Sequence, residues 1–350
     1  MVKRVTVHNC QTQAHDPRVT VVMPVYNCER FVAEAIESIL SQTLADFEFI
    51  IIDDGSTDHS VEIIESYRDS RISLIRNGAN LGLSESLNKG FGLARGEYVA
   101  RMDSDDVSLP ERLTRQVAFM EAHAEIGICG TWVEIIGEPA GHVWRYPTAP
   151  DVINCMHLFG PALAHPSVMM RREMLAKFGT LYDTSFKRAQ DFELWVRASE
   201  YTSLANIGEV QLHYRRHDQQ VVHKEEQLVF AGKVRLLQLY KLGIIPSPEE
   251  FKIHQSISQW RFEVDRGFLE NTEKWFSKLI DTNKRVKVFS ETTFSEVLCD
   301  RWFEVCDALT ELGPWTLKKF FLSPLSCKVK LSWRRRVAFF LNCLLFRRRG

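Results

Sequence analysis

Wholly apolar runs alternate with amphipathic segments along the first 125 residues. VTVVMPV (19–25) reads as a buried strand, and Phe31, Ala35, Ile36, Ile39 and Leu40 form the stripe of a helix that Asn27 is placed to cap. A second strand follows at 47–52, and Gly55, Ser56 and Asp58 turn the chain into a helix carrying Val61 and Ile64. A strand at 71–76, a turn at Asn77-Gly78, a helix around 83–94 and a strand at 97–102 complete the series. Such alternation predicts an α/β fold, with a mostly parallel twisted sheet and helices on both faces. Right-handed crossovers place the strand C-termini on one edge, where ligands bind in the crevice. Beyond Pro110 the pattern predicts a helix to about Ala122 and a strand over 126–136. Loops rich in Gly, Pro and His cover 137–166, and short helical or strand–helix pieces fall at 167–175 and 191–199. From about 218 helical periodicity dominates, with Gly243 and Pro248 separating two helices.

Charge sharpens this picture at two strand ends. FEFIIIDDGSTD closes on Asp53 and Asp54, and EYVARMDSDDVSLPER (97–112) gathers Asp103, Asp105 and Asp106 behind a short apolar strand. Three carboxylates so close repel one another, so an ordered structure needs a hard divalent cation or basic side chains beside them. A strand-end DxD suits Mg²⁺ or Mn²⁺ shared with a diphosphate, because such ions take one or two carboxylates and fill the rest of their shell with phosphate and water oxygens. A solvated acidic loop capping the next helix is the alternative. For Asp53 and Asp54, capping stands beside binding of a base or ribose. Asp191 precedes a helix carrying Leu194, Trp195 and Ala198, where it serves either as cap or as general base. His217, between basic residues in HYRRHDQQ, is a further candidate ligand or a structural histidine.

VTVVMPVYN, IIDDGSTD, NLGLSESLNKGFGLARGEYVARMDSDD and LPERLTRQ, followed by HPSVMMRREML, AQDFELWVR and YRRHDQQ, resemble in order the motifs of family-2 inverting glycosyltransferases of the GT-A (nucleotide-diphospho-sugar transferase) fold. The resemblance covers roughly residues 17–220. It implies that Pro24, Tyr26 and Asn27 line the base pocket, with Asp54 reading the base and Asp53 beside it. Asp103 would lie near the ribose and sugar phosphate, Asp105 would ligate Mn²⁺ or Mg²⁺ with His217 as a second ligand, and Asp191 would be the catalytic base. Asp106, His165 and Gln190 fall in the donor and acceptor vicinity; Gln190 stands where the family often has Glu. The implied partners are a nucleotide-sugar donor, UDP-linked by expectation, and a glycan or lipid-linked acceptor of surface-polysaccharide assembly. A sugar-phosphate nucleotidyltransferase would want a Gly-rich loop and a nearby Lys after the first strand, and MPVYNCER offers neither. A phospho-accepting receiver domain is about half as long and leaves Asp191 unexplained; a non-catalytic nucleotide-sugar-binding scaffold is the remaining alternative.

The organisation expected is an N-terminal segment (1–16), a GT-A domain (17–217), a helical extension (218–312) and a basic tail (313–350). A net charge of -1 conceals this asymmetry: no Asp or Glu occurs from residue 312 on, while Lys318, Lys319, Lys328, Lys330, Arg334–Arg336 and Arg347–Arg349 alternate with Trp315, Phe320, Phe321, Trp333, Phe339 and Phe340. That mixture suits an amphipathic helix in the headgroup region of an anionic membrane, against the alternatives of a tail packed on its own domain or one bound to nucleic acid; nucleic acid is not expected as a partner. The longest apolar run, Val337–Phe346, is too short to span a bilayer, and no stretch of signal-peptide character opens the chain. The expected location is cytoplasmic and peripheral at the inner face of the membrane. Eight scattered cysteines without metal-ligand spacing are expected to be free thiols.

Overall fold

The computed structural model describes residues 16–138, 140–217, 224–329 and 332–346. In chain order the α/β half comprises β1 (Val19–Val25), α1 (Val32–Leu40), β2 (Phe47–Asp53), α2 (Ser60–Ser66), β3 (Ile72–Arg76), α3 (Leu83–Leu93), β4 (Tyr98–Arg101), β5 (Val107–Ser108), α4 (Arg112–Ala122) and β6 (Ile126–Gly137). It continues through β7 (Val143–Trp144), α5 (Pro150–Met156), β8 (Met169–Arg171), α6 (Arg172–Leu175), α7 (Gln190–Ala198) and β9 (Ser203–Arg216). A helical half follows: α8 (Lys224–Lys241), α9 (Pro248–Ser258), α10 (Arg266–Val286), α11 (Glu291–Ala308), α12 (Pro314–Leu322) and α13 (Trp333–Leu344). The boundary expected near 218 falls among residues 218–223, outside the described residues, as do residues 1–15 of the N-terminal segment.

One sheet runs through the α/β half in the order β3-β2-β1-β4-β8-β6-β9-β5, with β7 added against β6. Strands β1 to β4 pair in parallel, as the apolar runs predict, because every crossover is helical. β8 then enters antiparallel between β4 and β6, and β5 pairs antiparallel with β9, so the sheet is parallel in its first half and mixed in its second. The chain leaves β1 outward to β2 and β3 and returns to β4 on the other side of β1, so strand order reverses between β1 and β4. Ligand crevices form at such reversals.

Pro24 helps to open this one. Val22 accepts from the Met102 N–H, so the even-numbered residues of β1 face β4, which has turned away at Arg101. The donor that Pro24 lacks would point into the resulting gap, where no ladder partner exists. β1 itself is buried along its whole length, and Val19, Val21 and Met23 pack with Ile36, Ile39 and Leu113 beneath the sheet.

The helical half has its own apolar core around Trp275, Trp302, Phe276 and Phe294, and that core also takes in Cys155, Leu158 and Phe159 from the end of α5. The expected tail is two helices rather than one. Phe320 of α12 and Phe339 and Cys343 of α13 are buried in this core, while Phe321, Leu322 and Trp333 point outward. Among the described residues no helix is long and apolar enough to cross a membrane, and the seven described cysteines are free thiols.

Candidate active site

The Asp-Asp-Gly turn at the end of β2 braces the crevice. Gly55 sits at φ +78°, and a Cβ there would lie 2.9 Å from the backbone of Ala79 and Asn80, so only glycine fits. Asp53 Oδ1 accepts from the Ser56 N–H at 3.1 Å. Asp54 is buried and accepts three hydrogen bonds at 2.9 Å, from Asn77 Nδ2 and the N–H groups of Leu81 and Gly82. It therefore holds the loop that opens α3, which neither alternative drawn from spacing foresaw. Asp54→Ala strands those donors and is expected to lower stability by about 1–3 kcal/mol, whereas Asp54→Asn keeps an acceptor and loses less. Denaturant midpoints check this; equal midpoints for wild type and Asp54→Ala would remove the anchoring role.

Asn27 is not a helix cap. It adopts left-handed φ 48°, and its side-chain oxygen accepts from the Thr57 N–H at 2.8 Å, joining the β1 loop to the β2 loop. α1 starts only at Val32, after a turn in which Cys28 O accepts from Phe31 and Val32. Tyr26 is left half-exposed at the crevice mouth.

Past β4 the acids converge. Asp103, Asp105 and Asp106 each present a carboxylate oxygen, all within 4.8 Å of one another. Asp106 is almost wholly buried; one oxygen accepts from the Arg215 N–H at 2.8 Å and the other has no protein partner. His217 Nε2 lies 3.0 Å from Asp105 Oδ2, and its buried Nδ1 is unpartnered. Burial, opposed by Arg101 and reinforced by the Asp105 charge, raises Asp103 to about 6. Burial together with Asp103 and Asp105 raises Asp106 well above its ordinary value. An orphaned buried carboxylate oxygen and mutual repulsion are what a hard cation would relieve, so these residues fit Mn²⁺ or Mg²⁺.

Arg101, missed from the sequence, is central here. It is 2% exposed, ion-paired with Asp103, and its Nε and Nη1 have no hydrogen-bond partner. The available signal was a charge inside an otherwise apolar strand. Asp191 lies in the first turn of α7, after Ala189 in the left-handed region, with Gln190 opening the helix. Burial raises its pKa, against the Phe192 N–H and the Arg101 charge, and the Asp191 charge is in turn felt at Asp103. His165 Nε2 meets the Tyr182 hydroxyl at 2.8 Å; burial and then Arg101 hold it well below its usual value, hence neutral.

A cleft of about 800 Å³ joins Pro24, Tyr26, Asp54 and Asp103 to Lys187 and Arg188 on the far wall. Its size suits a nucleotide-sized ligand. Sequence reasoning also passed over these two cations, although they stand three and four residues before Asp191.

Residues 20–179 match the model of glycosyl transferase family 2. An uncharacterized glycosyltransferase of Haemophilus influenzae is 32% identical over 271 residues, an alignment spanning 72% of this chain and 82% of that protein. The chain belongs to glycosyl transferase family 2. This family-2 glycosyltransferase is also 32% identical over 209 residues to the O-antigen biosynthesis glycosyltransferase WbnJ of Escherichia coli, covering 57% of this chain and 80% of WbnJ. Its fold matches S. aureus TarS 1–349 in complex with UDP, with a TM-score of 0.54, 20% identity and 86% of each chain covered. The mannosyltransferase PcManGT of Pyrobaculum calidifontis, in complex with GDP-Man and Mn²⁺, matches with a TM-score of 0.51 and 15% identity over 94% of this chain and 86% of its own. The GT-A fold expected from the motifs is the fold of this enzyme.

Proposed function

We propose that the enzyme transfers a sugar, with inversion, from a nucleoside diphosphate donor to a glycan or lipid-linked acceptor in surface-polysaccharide assembly. The observation that carries this reading is that the acid cluster and Asp191 both lie within the field of the buried Arg101, with Asp103 also lining the large cleft. Pro24, Tyr26, Asn27, Asp53 and Asp54 form the nucleoside end, and Tyr26 offers its ring to a base. A UDP donor agrees with the UDP bound by the fold relative TarS; a guanosine donor, as in PcManGT, is the competitor. The surface-polysaccharide setting rests on the likeness to an O-antigen enzyme.

Asp105, Asp103, Asp106 and His217 are the residues that would hold Mn²⁺ or Mg²⁺. When bound, the cation offsets negative charge on the leaving diphosphate. Asp191 takes the proton from the acceptor hydroxyl as that oxygen attacks the anomeric carbon; partial burial makes it a stronger base than a solvated carboxylate. Arg101 offsets the mutual repulsion of Asp103 and Asp191, and neutral His165, hydrogen-bonded to Tyr182, adds no further charge near it. A panel of nucleotide sugars, read by released UDP or GDP with Mn²⁺ present, tests the assignment. No turnover of any donor would overturn it.

Membrane contact belongs to the same reading. The outer faces of α12 and α13 expose Phe321, Leu322 and Trp333 at about 70% beside Lys318, Arg334 and Arg336. Basic groups near an anionic surface contribute about 1 kcal/mol each, and exposed aromatics add interfacial burial. Vesicles containing phosphatidylglycerol are expected to co-sediment the enzyme, with binding lost in high salt and in a Phe321→Ser/Leu322→Ser/Trp333→Ser variant. Equal binding to neutral vesicles would count against it.

A further inference from the structure

Asp191 does not line the large cleft. It lines a second, smaller cavity of about 260 Å³, bounded by α7, α8 and the segment that follows α9. The ion pair of Arg188, on the large cleft, with Glu226, at the start of α8, is flanked by Ala189 and Gln227 of the second cavity, so the two spaces adjoin along this bridge. Asp103 and Asp191 therefore face adjoining spaces, which is compatible with an acceptor hydroxyl arriving from the side opposite the diphosphate.

The second room has an unusual wall. Arg235, on α8, is 5% exposed; its Nε donates to Phe159 O at 2.7 Å, and its Nη1 is buried without a partner. No described carboxylate pairs with it, and burial alone pulls its pKa down to about 10. Leaving a guanidinium dry and uncompensated costs several kcal/mol, and a brace to one carbonyl uses only one of its five donors. Arg261 stands on the rim, exposed, with Gln227, Ser258 and Gln259 between as neutral hydrogen-bonding groups. Apart from Asp191 itself, no acidic side chain lines the cavity among the described residues.

We infer that this cavity is the acceptor site, and that the acceptor carries an oxyanion, phosphate or carboxylate, which Arg235 and Arg261 bind while its hydroxyl is presented to Asp191. The inference rests on the reading of Asp191 as base and adds the chemical class of the acceptor. Guanidinium groups match both oxyanions through paired N–H donors, and a lysine could not replace that fork. The small volume admits the terminal unit of a longer acceptor, with the rest passing out beside Arg261.

The experiment takes the nucleotide sugar that the donor panel shows to be hydrolysed without acceptor. With it, the full-length enzyme is offered matched octyl glycosides, glycosyl phosphates and glycosyl uronates. At least one charged series is expected to exceed the neutral glycosides in kcat/KM by ten-fold or more, and the better series identifies the anion. Arg261→Gln is expected to raise the KM for that acceptor about ten-fold with the donor KM unmoved, and Arg235→Gln more, with partial recovery in Arg235→Lys. Should Arg235→Gln fail to fold, the exposed Arg261 still decides the matter. Equal use of neutral and charged acceptors by the wild type, or equal losses on both in the variants, would overturn the inference and leave the glycosyl-transfer reading standing. Absence of any donor hydrolysis would instead strike the reading beneath it.

Discussion

Asp191→Asn is expected to reduce sugar transfer by about 10²–10⁴-fold while nucleotide binding stays within about two-fold, the range that loss of a positioned general base typically costs. The amide keeps the size of the side chain and its place in the first turn of α7 but cannot take a proton. The sign of the pH dependence follows from the same environment. Burial raises the Asp191 pKa above the ordinary carboxylate range, so wild-type transfer should climb as pH rises through that elevated value and the base is freed. In Asp191→Asn this limb should vanish from the kcat profile. A variant that retains both full activity and the limb would place the proton acceptor elsewhere.

The second large effect concerns the acid cluster. Asp105→Asn, or chelation of divalent ions, is expected to lower transfer by at least about 10²-fold, because the charge closest to the leaving diphosphate is then lost and Lys187 and Arg188 of the cleft are left to offset it. Excess Mn²⁺ should recover part of the Asp105→Asn loss, since Asp103 and Asp106 remain within reach. Protons and cation compete for these carboxylates. Asp103, raised to about 6, binds a proton more readily than a solvated aspartate, so Mn²⁺ affinity should hold above neutral pH and weaken as pH falls through about 6. Titration calorimetry at several pH values measures this directly. An Mn²⁺ affinity independent of pH, or untouched by Asp105→Asn, would place the ion elsewhere.

The first half of the fold was legible because β1, β2 and β4 are buried on both faces over most of their length and read as largely apolar runs, while the part-exposed edge strand β3 still follows a helix at crossover spacing. The acids at the ends of β2 and β4 stood out for the same reason: a charge directly after such a run can only lie at the sheet edge. β9 was not legible. Its fourteen residues mix Ser, Asn, Gly, Glu, Gln, His and Arg with the apolar positions, and its pairing with β6 shifts register near Thr131 and Trp132, so no period of two survives. Asn27 misled because a small polar residue ahead of a helix has two uses, and here it bridges two loops through a left-handed backbone. Arg101 escaped notice although it ends a buried apolar strand, and Arg235 because a lone arginine among the polar and apolar residues of α8 carries no sign of what surrounds it. The tail's basic and aromatic composition was plain, but which aromatics turn inward depends on the helical core that receives Phe320 and Phe339.

The core shared between α5 and the helical half sets a rule for anyone building hybrids from relatives of this enzyme. Cys155, Leu158 and Phe159 sit among the side chains of α10 and α11, and Arg235 grips the Phe159 carbonyl. A splice at residue 217 would seat a foreign α8 on a surface shaped for this one, misaligning the cavity wall next to Asp191. On the proposed acceptor site, exchanging acceptor preference between homologues therefore means transplanting residues 150–161 together with everything after α7, as one inherited block.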